Sequence, residues 1–471
     1  MHDSGKLSSG PPKIQIPVVV GTRPEAIKLI PVILALRQSA YYEPVVVSTG
    51  QHHRLVSYIF ELVDIQPDVT LWSGSRHAGL NARVASVLER FEDFCVERYG
   101  LEPGTRVDAT EVLAGRAPAA VIVHGDTSSA MAAALSAFHL RIPVMHVEAG
   151  LRTGSNLSPF PEELNRGVIG RVAALHFAPT TKNLENLIRE GVPAHQVFVT
   201  GNTGIDALRW ATTLNVHFGD RRLQELHDSD RRIITVTAHR RENWGDGLVG
   251  IAEGVRRLAA RFPDDAFVLP VHPNPQVRNV LAPRLGELDN VLVTETLGYA
   301  TFARLLARSH LVITDSGGVQ EEAPSLGKPV LVLRETTERG EGVVAGTLRL
   351  VGTDPDVIER EGARLLADDL AYAEMASAEN PYGDGRAAHR IVAALEHLLL
   401  GVEPPEPFGP GYTREAVLDA ADLHVDTRAV EAAINALAPA PASTPDTLPV
   451  PDAPASDMPA YSNGGERVAG E

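Results

Sequence analysis

Residues 14–28 read IQIPVVVGTRPEAIK, and this stretch decides the fold. The apolar, β-branched run at 14–21 suits a strand covered on both faces. Gly21 permits a tight turn. Pro24 suits the first turn of a helix, where its missing N–H would have no partner anyway. Apolar residues then recur at helical spacing to Gln38. A strand delivered straight into a helix is the opening unit of a doubly wound α/β sheet. In such sheets the C-terminal strand ends face the ligand crevice, so Arg23 and Lys28 fall near a helix N-terminus where anions bind. Read alone, the segment is equally an ordinary strand–helix turn with two surface cations. It lacks the G-x-G-x-x-G fingerprint, so no nicotinamide cofactor is indicated.

The same unit recurs along the chain. Short apolar runs at 44–48, 120–125, 144–148, 174–178 and 197–201 accompany helical patterns at 24–38 and 128–140. A second series at 232–238, 266–271, 291–295, 311–315, 329–333 and 347–351 is interleaved with helices at 248–261 and 302–309. Two series predict two Rossmann-like domains, 14–205 and 206–384. Residues 385–401 read as a last helix crossing back onto the first domain. Residues 402–471 turn rich in Pro, Ala, Asp and Ser and read as a disordered tail with room for one short helix at 428–437. Residues 91–116 read as an extended loop or insertion.

A chain of 471 residues, 44% hydrophobic and 22% charged, can bury a large core. The net charge of -17 argues against nucleic acid as a partner, because phosphate backbones select a Lys/Arg surplus. A small phosphorylated ligand needs only a few local cations and stays open. The single cysteine, Cys95, allows no disulfide within the chain and no cysteine-based metal site. It follows Phe91 and Phe94 at helical spacing and reads as packing. Residues 1–13 lack the apolar core of a signal peptide, and no run approaches the ~20 apolar residues of a membrane helix. A cytoplasmic protein without membrane contact is expected.

Candidate chemistry collects at strand ends. His124-Gly125-Asp126-Thr127-Ser128 closes one strand and opens an Ala-rich helix. On this motif alone Asp126 reads as the helix N-cap, and otherwise as a carboxylate aimed into the crevice. Glu148 ends the next strand, where a charge is rarely buried without a partner or a task. Arg152 is the simplest partner. Glu162 and Glu163 follow a proline, as acids at helix starts do. Three segments of one half-chain thus carry acids, and one shared cleft accounts for them. In the second half, His239-Arg240-Arg241 and His272-Pro273-Asn274 each close a strand, and either histidine can be a packed loop residue. Ser316, Gly317 and Gly318 can present bare backbone N–H groups to a phosphate. Glu322, one turn into the following helix, can accept hydrogen bonds from ribose hydroxyls.

Together these segments resemble the non-hydrolysing UDP-N-acetylglucosamine 2-epimerases over residues 14–400. The likeness rests on GTRPEAIK at 21–28, TGQH at 49–52, HGDT at 124–127, HVEAGLR at 146–152, PEELNR at 161–166, HRREN at 239–243, HPNP at 272–275 and TDSGGVQEE at 314–322. It implies a glycosyltransferase-B-type architecture, two Rossmann-like doubly wound domains facing a cleft that holds the substrate. Asp126, Glu148 and Glu162 match the family's catalytic acids, and His239 is grouped with them. Arg23, Lys28 and His239 would contact the substrate or its diphosphate. Ser316, Gly317 and Gly318 would hold phosphate, Glu322 the ribose, Phe302 the uracil, and Arg339 the diphosphate or sugar. Gln51, His52 and His272 match positions that bind a second, regulatory UDP-N-acetylglucosamine. His53-Arg54 and residues 69–80 depart from the family pattern beside that second site, which weakens the expectation of regulation. The resemblance further implies UDP-N-acetylglucosamine as partner, a homodimer, no metal and no separate cofactor.

The chemistry fits those residue types. The hydrogen on carbon 2 of the sugar is not next to a carbonyl carbon and is a poor acid. Expelling UDP from carbon 1 develops oxocarbenium character there and makes loss of that proton feasible. Cations and backbone dipoles are needed for the departing diphosphate, and carboxylates for the proton on either face. Two other readings share the UDP-sugar site. A hydrolysing 2-epimerase would release free N-acetylmannosamine and UDP. A glycosyltransferase would need an acceptor site, and none is evident.

Overall fold

The run IQIPVVV forms β1 (Ile14–Val20), buried along almost its whole length. Only a strand with helices on both faces needs such a continuous apolar sequence. In the computed structural model, which describes residues 12–71, 79–101, 104 and 107–409, β1 stands near the middle of a seven-stranded sheet. Its other strands are β2 (Tyr42–Ser48), β3 (Val69–Thr70), β4 (Val121–His124), β5 (Val144–Val147), β6 (Leu175–Ala178) and β7 (Val197–Val199). They lie in the order β3-β2-β1-β4-β5-β6-β7 with every pairing parallel.

A second sheet repeats the plan. β8 (Ile233–Thr237), β9 (Ala266–Pro270), β10 (Val291–Thr294), β11 (Ser309–Thr314), β12 (Val330–Val332) and β13 (Leu348–Leu350) lie in the order β10-β9-β8-β11-β12-β13, again all parallel. Each sheet belongs to its own compact unit. The first takes in the chain up to Ala207 and again from Gly385, and the second spans Leu208–Asp384. The doubly wound α/β architecture read from the alternating runs is thus present twice. In each sheet the winding reverses beside the founding strand, between β1 and β4 and between β8 and β11. That reversal is where strand-end loops part and leave room for a ligand.

Helices cover the sheets. In the first unit Phe91, Phe94 and Cys95 pack with Val19, Val121 and Ala133. In the second, Leu248, Ile251 and Leu258 of the helix Asp246–Arg261 pack on Ile234, Phe267 and Leu311. The helix Ala387–Leu400 packs on the helix Arg23–Gln38, where Glu396 accepts from Ser39 at 2.9 Å. Asp206 accepts from the backbone N–H groups of Ala387 (3.2 Å) and Ala388 (2.9 Å) and so holds its start.

Three expectations need correction. Residues 91–116 are no loop. They hold the C-terminal part of the helix Leu80–Tyr99 and the short helix Ala109–Leu113. The outward face of the long helix is charged, which disguised a regular apolar stripe of Val84, Val87, Leu88, Phe91, Phe94 and Cys95. Burial, with Glu92 nearby, pushes the Cys95 thiol up to about 12, so it packs as an inert side chain. The second correction is β3, whose two residues carry no periodic signal. Third, the segment after Gly401 is not structureless from its first residue. Phe408 is 7% exposed, packs with Leu184 and Val197, and donates its backbone N–H to the Val199 carbonyl at 2.8 Å. The helix expected at 428–437 lies outside the described residues, as does most of 69–80.

Candidate active site

In the first unit the site is built across the β1/β4 reversal. Glu25, at the third helical position after Thr22, turns back as a capping-box acid does. One carboxylate oxygen accepts from the backbone N–H of Gly21 (3.1 Å) and Thr22 (2.6 Å), and the other from the Thr127 hydroxyl (2.7 Å). A single buried side chain therefore fastens the turn after β1 to the turn after β4. Burial pushes its carboxyl up, and the bonds from Thr127 and Thr22 only partly offset this. Gly21 admits no side chain, since a Cβ there would sit 2.8 Å from Ser129 Cβ and Thr49 Oγ1. Arg23 opens the helix and is exposed.

Glu148 follows β5 in a left-handed conformation, φ 61°, unusual for a residue with a side chain. The turn aims its carboxylate at Lys28, with which it forms an ion pair, and at His124 Nε2, 3.0 Å away. Burial alone would push the carboxyl up, but the Lys28 and His124 charges outweigh it and hold Glu148 well below the usual carboxylate range. Arg152 is not its partner. The Arg152 guanidinium pairs with Glu190 through both carboxylate oxygens, at 2.6 and 2.8 Å.

Nor is Asp126 a helix cap. Thr127 takes that place, accepting from the Ala130 N–H at 3.0 Å. The Asp126 carboxylate meets Arg166 instead, Nη2 at 2.7 Å and Nε at 2.9 Å, while Asn165 donates to the Asp126 carbonyl at 2.8 Å. Arg166 also pairs with Glu163 (2.8 Å), which accepts from the backbone N–H groups of Thr153 (2.9 Å) and Gly154 (3.0 Å). Glu162 opens the same helix, Glu162–Val172, half-buried, and no hydrogen bond or ion pair ties its carboxylate to another described residue. Gln51 accepts from Ser129 at 2.7 Å. His52 is exposed. Burial of part of its ring, with Arg83 and Arg23 nearby, lowers its pKa.

Behind these groups His146 and His176 face each other across β5 and β6, ring centroids 6.3 Å apart. His146 Nε2 donates to the Gly125 carbonyl at 2.7 Å, which steadies the residue before Asp126. Burial, then the neighbouring His176 charge, lowers the His146 pKa to about 3, and burial with Arg152 lowers His176 to about 4. In the unfolded chain both would titrate near 6.5. Between the two values the unfolded state binds more protons, so stability is full above pH 6.5 and declines as pH falls below it. From pH 7.5 to 5.5 the pair is expected to remove about 2–3 kcal/mol. Urea unfolding at the two pH values checks this. His176→Gln should reduce the pH dependence by about half, and an unchanged dependence would contradict the assignment.

In the second unit Asp315, fully buried after β11, plays the part Glu25 plays in the first. It accepts from the backbone N–H groups of His239 (2.9 Å) and Arg240 (2.8 Å) and from the Asn243 side chain (3.0 Å). The His239 ring places Nδ1 3.3 Å from Asp315 Oδ1 and stacks on His272, centroids 5.6 Å apart. His272 Nδ1 accepts from the Asn274 N–H at 3.1 Å. Burial lowers the His239 pKa, Arg240 and His272 add to this, and Asp315 opposes it. Ser316 precedes the short helix Gly317–Glu322, and its N–H donates to Thr314 Oγ1 at 3.0 Å. A Cβ on Gly317 would lie 2.9 Å from the Arg339 guanidinium carbon, so the missing side chain lets Arg339 rest against this turn. Arg339 also pairs with Glu321 (2.9 Å) and Glu338 (2.5 Å). Burial and the Glu322 charge lift the phenol of Tyr299 well above its ordinary range, which sets the helix Tyr299–Arg308 beside Glu322. Phe302 lies on that helix, half-buried.

The first unit therefore gathers Asp126, Glu148, Lys28 and Gln51 at one sheet edge, and the second gathers His239, His272, Ser316–Gly318 and Arg339 at another. Sequence reading passed over Glu25, His124, Glu163, Arg166 and Asp315. The Thr22/Glu25 spacing was legible as a capping box. Glu163 was legible only as a helix-start acid one turn from Arg166, and His124, Arg166 and Asp315 meet partners remote in sequence, which leaves no local signal. Among the described residues no helix is long and apolar enough to cross a membrane, and no group of three or more His, Cys, Asp or Glu is arranged to hold a metal ion.

Residues 106–396 match the family model described as UDP-N-acetylglucosamine 2-epimerase. The chain is 44% identical to the UDP-N-acetylglucosamine 2-epimerase of Escherichia coli K12 over 390 residues, 82% of this chain and 99% of that protein. The crystal structure of the Neisseria meningitidis UDP-GlcNAc 2-epimerase bound to UDP-GlcNAc is 39% identical, with a TM-score of 0.68, covering 81% of this chain and 99% of that one. At 14% identity and a TM-score of 0.53 over 82% of this chain and 99% of the other, a Rickettsia africae glycosyltransferase shares the fold alone.

Proposed function

Because the chain belongs to the UDP-N-acetylglucosamine 2-epimerase family, an isomerase family, we propose that it interconverts UDP-N-acetylglucosamine and UDP-N-acetylmannosamine without releasing free sugar. The observation that carries the reading is the Glu148 carboxylate. It is set in a strained backbone conformation and kept ionised by Lys28 and His124. Such a group is fixed in direction and free to accept a proton, and its weak basicity fits a carbon 2 proton already made acidic by the departure of UDP.

The carbon 1–oxygen bond of the sugar breaks with its electron pair leaving on UDP. Loss of the carbon 2 proton to a carboxylate forms a carbon 1–carbon 2 double bond. A proton returned to the opposite face and re-attack by UDP at carbon 1 give the epimer. Asp126, Glu148 and Glu162 supply the proton transfers. Arg339, His239, Arg23, the Ser316 hydroxyl and the backbone N–H groups of Gly317 and Gly318 stabilise the departing diphosphate; the Ser316 N–H, expected to be bare, is instead engaged by Thr314 Oγ1. Glu322 and Phe302 hold the nucleoside. Gln51, His52 and His272 are the candidates for a second, regulatory copy of the substrate.

A product assay tests this. Incubation with UDP-N-acetylglucosamine alone is expected to yield UDP-bound N-acetylmannosamine, with UDP released only in trace. Stoichiometric free N-acetylmannosamine and UDP would replace this reading with the hydrolysing one. No reaction without an added acceptor would favour sugar transfer.

A further inference from the structure

Asp315 is the most buried carboxylate near the expected diphosphate site, and the functional reading above gives it no task. A carboxylate at 0% exposure costs several kcal/mol unless its oxygens are fully engaged. Here the backbone of residues 239 and 240 and the Asn243 amide engage them. Asn243 also donates to the Leu333 carbonyl at 3.1 Å, which ties the arrangement to the end of β12. The His239 ring also faces the carboxylate, with Nδ1 3.3 Å from Oδ1. On its other face the ring is stacked on His272, nearly parallel at 15°. Stacking on His272 holds the plane of the ring and Nδ1 is the nitrogen on the Asp315 side, which leaves Nε2 to meet a ligand.

We infer that Asp315 is a positioning residue that acts through His239, holding the proton on Nδ1 and supporting the imidazolium whose Nε2–H meets the departing diphosphate. The inference rests on the proposed epimerase reading for its catalytic part, whereas its tautomer part stands on geometry. The logic is that of a carboxylate behind a histidine, which orients the ring, selects the tautomer and stabilises the charged form. The charged groups facing His239 are Asp315, which favours its protonation, and Arg240 and His272, which oppose it. Removal of the Asp315 charge leaves only the opposing pair.

The test uses the full chain with nitrogen-15-labelled histidine, the His239 signals being assigned by their loss in His239→Asn. In the wild type the NMR shifts should report Nδ1 protonated in the neutral ring. In Asp315→Asn the Nε2–H tautomer should gain, and protonation should move to lower pH. Turnover of Asp315→Asn should fall by roughly 100-fold, with KM little changed and the alkaline limb of the pH profile, where the imidazolium loses its proton, displaced to lower pH. The double variant Asp315→Asn/His239→Asn should be no slower than His239→Asn alone. A wild-type ring protonated at Nε2 overturns the inference without any variant. So does a double variant whose losses multiply, or a changed tautomer with wild-type turnover. A wild type that shows the Nδ1–H signature and no epimerisation would overturn the functional reading instead and leave the Asp315–His239 pair standing.

Discussion

Glu148→Gln is expected to lower turnover by roughly 10²- to 10⁴-fold while leaving UDP affinity close to that of the wild type. The substitution keeps size and hydrogen-bonding shape but removes the charge that Lys28 and His124 hold in place. Burial already disfavours the ionised form, and Lys28 with His124 reverses that preference. The neutral amide removes the ion pair with Lys28, so some loss of stability accompanies the loss of rate. UDP affinity is expected to survive, because Arg339, His239, Arg23 and Ser316–Gly318, the groups assigned to the diphosphate, are not the partners of Glu148. Calorimetric titration with UDP beside a steady-state assay separates the two effects. Turnover within tenfold of wild type would remove Glu148 from the proton transfers.

Arg166→Leu is expected to destabilise the first unit by about 3–5 kcal/mol, since it leaves two carboxylates without their shared cation. Glu163 is 5% exposed, Arg166 itself 10% and Asp126 26% by side chain, so solvent replaces little of the lost interaction. Glu163 also holds the backbone of Thr153 and Gly154, so the loop behind Arg152 should loosen with it. Arg166→Leu combined with Glu163→Gln should recover part of the stability, because the cost lies in the uncompensated charge. A urea midpoint unchanged by Arg166→Leu would show that water already serves both acids. Turnover is expected to fall in either variant, because Arg166 fixes the Asp126 carboxylate.

These two residues also mark how far the sequence could be read. The strands were legible because a parallel strand buried on both faces must be apolar along its length, as β1 is. Every strand except β3 announced itself in that way. The long helix Leu80–Tyr99 escaped because its outward face is crowded with charge, although Phe91, Phe94 and Cys95 carry the helical spacing. Glu148 was legible as a charge at the end of a buried strand. Its partners were not, since Lys28 lies 120 residues away and the nearby Arg152 turns to Glu190. The same holds for Asp126, whose cap-like position is taken by Thr127 and whose cation comes from 40 residues downstream. Local chemistry shows which side chains stand at strand ends. The winding order of the sheet decides which of them meet.

The central claim is that the carbon 2 proton leaves and returns while UDP remains at hand. Incubation of the protein with UDP-N-acetylglucosamine in deuterated water, followed by NMR, tests it most directly. Deuterium should enter carbon 2 of UDP-N-acetylmannosamine and, as the reaction reverses, of UDP-N-acetylglucosamine. Epimer formed with protium retained at carbon 2 would contradict the elimination and the role given to Asp126, Glu148 and Glu162.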